Sequence, residues 1–329
     1  MRRGQCSTGR VADGGPVVTA ARVIVLGSLN MDLVVGVSHF PAPGETIGAN
    51  SWNSRVGGKG GNQAIAAARL GADVSIYGAV GNDEYGAELV ATAAANGVDV
   101  RRVAVIPGRS GIALIAINSR AENTVIVAPE ANGALSHNDV RDLETALTPS
   151  AALLAQLEVP VAIVEWAARA AKAQGAKVVL NAAPASAWPT PDLRSLLTLT
   201  DVLIVNETEA ELMGASASTL DGAHELRRLG PDVVVITLGA RGAIFASPLE
   251  SGFEGGISVD AIDTVGAGDS FCAELTVALL DGDSLHRAVQ RANVAGALAT
   301  TRMGSTESTP SRADVDSRLL QEDGTAHAR

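Results

Sequence analysis

Cysteine is nearly absent: the 329 residues hold two, Cys6 and Cys272. One lies in a polar N-terminal stretch and the other in an apolar run, so neither a disulfide framework nor a thiolate metal site is available, which suits a reducing compartment. Basic charge is short as well. Against 36 Asp and Glu stand 25 Lys and Arg, a net charge of −11, and no run clusters the cations, which argues against a surface built to neutralise nucleic-acid phosphates. Apolar stretches never reach the roughly 18 residues of a membrane helix. Arg2 and Arg3 could open a twin-arginine signal, but Gly, Ser, Thr and Asp follow where an apolar region should stand. The expectation is a cytoplasmic protein without export signal or membrane span. Two nucleotide-binding patterns are also lacking. No G-x-G-x-x-G follows the first apolar run, which disfavours a nicotinamide oxidoreductase, and "GGKGGN" lacks the Ser or Thr that follows Lys in a P-loop.

What the chain does have is apolar material: 47% hydrophobic against 19% charged residues and a mean hydropathy of +0.20, enough for a sizeable core. Residues 1–21 are Gly-rich, polar and aperiodic, which predicts a disordered leader. From Arg22 onward, apolar runs recur at "RVIVLGSL" (22–29), "DVSIYGAV" (73–80), "ALLAQLE" (152–158), "KVVLNAA" (177–183), "DVLIVNE" (201–207) and "DVVVITLGA" (232–240), each the pattern of a strand buried on both faces. Ala- and Leu-rich segments of helical length lie between them, at 60–71, 85–97, 161–175 and 222–230. The alternation predicts an α/β fold, a mainly parallel central sheet flanked by helices. Residues 33–56 and 111–130 break the rhythm and read as β-structure outside the main sheet, so a small β-sheet lid is expected. After 263 the pattern is helical, over 269–280 and 285–301, and a polar tail follows from 312 to 329.

Three stretches carry chemistry. In "DTVGAGDS" (263–270), Gly266, Ala267, Gly268 and Asp269 precede an amphipathic helix, so unpaired backbone N–H groups converge on a phosphate-sized site. Asp269 would lie beside whatever that loop holds, where a base for a phosphoryl acceptor belongs; equally, it would serve as a helix N-cap worth about 1 kcal/mol. "RVGGKGGNQA" (55–64) sets Gly57, Gly58, Gly60 and Gly61 around Lys59 and Asn62, either a close-approach loop for a hydroxyl-rich ligand or a flexible turn with a solvated lysine. "SLNMDLVV" (28–35) places Asn30 and Asp32, two residues apart and so on one side, at the end of the first buried strand, where open α/β sheets bind ligands.

Nine signatures occur in order across residues 22–310: "GSLNMD", "FPAPGET", "GGKGGNQA", "QLEVP", "LNAAPA", "NETEAE", "TLGARGA", "DTVGAGDSF" and "ATTRMGSTES". On these the chain resembles the ribokinase-like family of carbohydrate kinases, which includes phosphofructokinase-B types, and within it the ribokinase branch more than the fructokinase or ketodeoxygluconate kinase branches. The resemblance implies one kinase domain over 22–311 and ATP-dependent phosphorylation of D-ribose at its 5-hydroxyl. The alternatives are a sibling kinase acting on deoxyribose, a nucleoside or another sugar, and a sugar sensor without transfer. It further implies that Asn30, Met31, Asp32, Gly58, Lys59, Gly60, Gly61, Asn62 and Glu158 surround the sugar, that Asp269 is the base, and that Gly266, Ala267 and Gly268 form an anion hole. Asn206 and Glu209 would order phosphate and the water shell of Mg²⁺. Thr237, Leu238, Gly239, Ala240, Arg241, Gly242, Gly268 and Asn293 would line ATP. Asp263, Val265, Ala299, Arg302, Gly304 and Ser308 match a monovalent-cation site, K⁺ in relatives, and a homodimer through the lid strands is implied. Departures from the family pattern are Glu130, where Gly is usual, Ala273 and Glu274, where Gly and a small residue are usual, and the poorly fitting segment 246–258.

Overall fold

The computed structural model describes residues 20–326, apart from 121, 186, 187 and 189. The expected leader therefore lies almost wholly outside the described residues, as does Cys6. Strands β1 (Arg22–Leu26), β4 (Asp73–Gly81), β5 (Asp99–Ile106), β8 (Ala151–Gln156), β9 (Lys177–Asn181), β10 (Val202–Asn206), β11 (Val233–Thr237), β12 (Gly242–Ala246) and β13 (Ser251–Gly255) form one sheet in the order β13-β12-β11-β10-β9-β8-β1-β4-β5. All neighbours pair in parallel except β12 with β11 and β13 with β12.

The unbroken apolar runs have a simple cause: both faces of the sheet are covered. Along β1, Val23 and Val25 enter one core while Ile24 and Leu26 enter the other. The first core is closed by helices α1 (Lys59–Arg69), α2 (Glu84–Ala95), α10 (Ala267–Leu280), α11 (Leu285–Ala299) and α12 (Arg312–Ala326). The second is closed by short turns α3 (Ala131–Ala134), α4 (His137–Val140) and α5 (Leu143–Ala146), then α6 (Val161–Ala173), α7 (Pro191–Leu199), α8 (Glu207–Leu212) and α9 (Leu220–Arg227).

The lid is a separate four-stranded sheet, β2 (Asn30–Gly36), β3 (Ser51–Gly57), β6 (Gly111–Ile117) and β7 (Asn123–Ala128), in the order β3-β2-β6-β7. Its first strand starts at Asn30, so Asn30 and Asp32 belong to the lid and not to the end of β1. Trp52, Leu114, Val125, Ile126 and Val127 are exposed apolar side chains on it. Glu130, at the foot of β7, has φ 45°, the one positive φ outside glycine among the described residues. With ψ −118° it also lies outside the left-handed α well that other residues tolerate, so a conformation suited to glycine is strained here at the root of the lid.

The polar segment from 312 is a helix whose Val315 and Leu319 are fully buried. Arg312 Nε donates to the Leu70 carbonyl at the C-terminus of α1 at 2.6 Å. Arg69, the last residue of α1, donates to the carbonyls of Thr306 at 2.5 Å and Thr309 at 3.1 Å. Glu274, buried in α10, accepts from Arg291 of α11 at 2.5 Å, so the charge that departs from the family pattern is paired. Among the described residues no helix is long and apolar enough to cross a membrane.

Candidate active site beneath the lid

Only three residues separate β1 from β2, so the lid springs from the C-terminal edge of the central sheet. Asn30 and Asp32 are buried on one face of β2, and Met31 between them is fully buried in the apolar core, away from the other candidates. Gly57, paired with Asn30 across the lid, leaves space for Asp32: a Cβ there would stand 2.2 Å from its Oδ2. Helix α1 reaches the sheet edge by the same device. A Cβ on Gly60 would come within 2.5 Å of the Gly27 carbonyl carbon, so the glycine cluster serves close approach rather than flexibility.

On α1, Asn62 Nδ2 donates to Asp269 Oδ2 at 2.9 Å and Gln63 Nε2 donates to Asp269 Oδ1 at 3.0 Å. Glu158, just beyond β8, accepts from Ser28 Oγ at 2.5 Å and from the Lys59 backbone N–H at 3.0 Å. The N-cap of α10 is Gly266, left-handed at φ 80°, and no side chain caps the helix. Asp269 is therefore not an N-cap; its carboxylate is spent across the site on α1.

Four charges face one another there. Burial raises the Asp32 carboxyl to about 7, helped by the Glu158 and Asp269 carboxylates and opposed by Lys59 and Arg55. Burial also raises Asp269, while Lys59 and the Gln63 and Asn62 amides pull it back. For Lys59, burial works against its charge, but Asp269, Glu158 and Glu209 together hold its pKa above the ordinary value. A cation set among three acids is a site that wants neutral, hydroxyl-bearing company or further positive charge.

Beside it opens a cavity of about 550 Å³, lined by Thr237, Gly239, Ala240, Gly242, residues 256–259, Ala267, Gly268, Asn293, Gly296 and Ala297 among others. Of the loop 237–242, Leu238 turns into the apolar core and Arg241 outward to an ion pair with Glu207, so neither lines the cavity. Asn293 donates its amide to the Glu254 and Gly255 carbonyls, each at 3.2 Å. The segment 246–258 supplies β13 and the cavity wall after it. Asn206 and Glu209 form a reciprocal cap on α8: Asn206 Oδ1 accepts from the Glu209 N–H and Glu209 Oε2 from the Asn206 N–H, both at 2.8 Å.

The candidate cation loop is braced through Asp263, which accepts from the N–H groups of Val265 at 3.1 Å and Gly304 at 3.0 Å and meets Arg55 of the lid at 3.5 Å. Ser308 Oγ is buried without a hydrogen-bond partner. Ala299 is buried and Arg302 exposed.

Sequence reasoning missed the amides behind the site. Gln63, Gln156, Asn181 and Asn132 are buried, and Asn132 Nδ2 donates to Asn30 Oδ1 at 2.8 Å. The available signal was a lone polar Gln156 inside the apolar run "ALLAQLE".

The pattern of the pfkB family carbohydrate kinases matches residues 20–312. A ribokinase of Haemophilus influenzae is 38% identical over 297 residues, covering 88% of this chain and 96% of its own. A deoxyribokinase of Salmonella typhi is 30% identical over 299 residues, covering 88% and 95%. Among solved structures, an Arabidopsis thaliana ribokinase complexed with ribose and ATP has a TM-score of 0.81 at 28% identity, covering 91% of this chain and 98% of that one.

Proposed function

Because this chain belongs to the pfkB family of carbohydrate kinases, we propose that it transfers the γ-phosphoryl group of ATP to the 5-hydroxyl of D-ribose. The observation that carries the proposal is Asp269, a buried carboxylate on α10 within hydrogen-bond reach of Asn62 and one residue from Gly268 in the cavity wall. The sugar lies beneath the lid, its hydroxyls meeting Asn30, Asp32, Asn62 and Glu158; the triphosphate enters from the cavity with its γ-phosphate at the N-terminus of α10. Asp269 accepts the 5-hydroxyl proton as that oxygen bonds to the γ-phosphorus, and the bond from phosphorus to the bridging oxygen breaks, leaving ADP. Lys59 and the N–H groups of Gly266, Ala267 and Gly268 meet the charge on the transferring group. The lid excludes water, which would otherwise accept the phosphoryl group.

Among the described residues no group of three or more His, Cys, Asp or Glu side chains converges as a metal site; Mg²⁺ carried by the nucleotide phosphates would be met through water by Asn206 and Glu209 and would supply charge neutralisation. The unpartnered Ser308 Oγ fits a ligand of a K⁺ held by the 263–265 and 299–308 segments. The exposed apolar side chains of the lid fit pairing with a second copy. A deoxyribose kinase is the second reading, favoured by the 30% identity to a deoxyribokinase.

The test is ATP consumption against ribose, deoxyribose, fructose and adenosine, with and without K⁺ at fixed ionic strength. Ribose is expected to give the highest kcat/KM, with K⁺ raising kcat. Preference for another acceptor overturns the substrate assignment, and indifference to K⁺ removes the cation.

A further inference from the structure

We propose that Gln63 is a positioning residue for Asp269, aiming its carboxylate through a hydrogen bond that Gln156 locks from behind. The inference rests on the reading of Asp269 as the base. Gln63 and Gln156 are both fully buried. Gln63 Nε2 donates to Asp269 Oδ1 at 3.0 Å and to Asn181 Oδ1 at 3.1 Å, while its Oε1 accepts from Gln156 Nε2 at 2.6 Å. This arrangement has one orientation. Turning the Gln63 amide over would set its oxygen against two oxygens and its nitrogen against the Gln156 nitrogen, breaking all three hydrogen bonds and facing like with like.

Space for the lock is provided by a missing side chain, because a Cβ on Gly27 would lie 2.0 Å from Gln156 Oε1. The chain of amides thus runs from β8 through α1 to α10. Its neighbour on α1 differs in kind: Asn62 Oδ1 is buried and has no hydrogen-bond partner within the protein. Both N–H groups of Gln63 are already engaged by side chains of the protein. It therefore acts on the base and not on the substrate.

A carboxylate that is to receive a proton needs a fixed plane and a charge that survives burial. Hydrogen bonds to the charged form supply both. The ionisable groups facing Asp269 are Lys59 from α1, Glu158 from beyond β8, Asp32 from the lid and Cys272 on its own helix. Burial, with Glu158 adding to it, pushes the Asp269 carboxyl up, while Lys59 and the two amides hold it down. Losing one amide raises the Asp269 pKa. The ionised fraction then falls first at low pH, and the acid limb of the rate profile moves upward.

The experiment is the pH dependence of kcat/KM for ribose in Gln63→Leu and Gln156→Leu, beside Asp269→Asn. For Gln63→Leu the acid limb is expected to rise by about one pH unit, with a loss at neutral pH that shrinks toward pH 9 and an unchanged KM for ATP. Gln156→Leu, which touches neither Asp269 nor a ligand, is expected to shift the limb the same way by less, and it keeps the test alive should Gln63→Leu fail to fold. An acid limb that stays in place in a folded variant overturns the positioning role, even if kcat drops, provided that Asp269→Asn is inactive. Substantial turnover by Asp269→Asn overturns instead the assignment of the base.

Discussion

Beneath the lid the groups brought together are the tips of side chains: the carboxylates of Asp32, Glu158 and Asp269, the ammonium of Lys59 and the amides of Asn30 and Asn62. A few residues away, the cavity at the start of α10 is walled mostly by glycine, alanine and backbone. The first region is built from functional groups that can be removed one at a time. The second is built from open space, and removal leaves it intact; it is damaged by addition. The two regions should therefore answer oppositely to truncation and to enlargement.

The largest effect is expected at their border. Asp269→Asn keeps the size of the side chain but cannot take a proton, so kcat should fall by about 10²–10⁴-fold while calorimetry still detects both sugar and ATP. Retention of most of kcat would return Asp269 to a structural role. Next in size, Asp32→Ala should raise KM for ribose by about 10–100-fold, the cost of hydrogen bonds to a charged acceptor, and leave KM for ATP nearly unchanged. Ala297→Trp should do the reverse, filling the cavity and raising KM for ATP by about tenfold with little change for ribose. Equal changes in both constants, for either variant, would erase the distinction between the regions.

The smallest effect concerns stability. The Asp32 carboxyl titrates near 7 in the folded protein against an ordinary 3.8. Between those values the folded state binds more protons than the unfolded one, so this group's contribution to stability declines as pH rises through that window and is level above it. Asp32→Asn removes the buried charge. Its Tm at pH 8 should exceed that of the unaltered protein by a few degrees, with the gap closing toward pH 4. A lower Tm at pH 8 would mean that the ionised carboxylate is stabilised by its neighbours after all.

The same division explains what is legible in the sequence. Side-chain chemistry concentrated in short motifs, "SLNMD", "GGKGGN" and "GAGDS", announces itself, as do strands whose two faces are both apolar. The wall of the cavity does not: β13 alternates exposed and half-buried residues at the sheet edge, where little hydrophobic pattern is required. Helix α12 reads as a polar tail because only a narrow apolar stripe, including Val315 and Leu319, is buried. β5 escapes notice for a similar reason, its two arginines exposed at the other edge of the sheet. The amides behind Asp269 are illegible for a different reason. Gln63 meets Gln156 and Asn181 across 93 and 118 residues, and no local spacing encodes a contact made only when three elements converge.

An α-helix of 11 residues is a stiff rod about 16 Å long, and α1 is pinned at both tips. One tip presents Lys59, Asn62 and Gln63 to the site; the other is gripped by the Thr306 and Thr309 carbonyls through Arg69 and by Arg312 at the Leu70 carbonyl. Held in this way it behaves as a strut and not as a spring. The 304–309 loop is thereby tied to the end of α1 opposite the site, and the last helix of the chain is the bolt that keeps the strut seated.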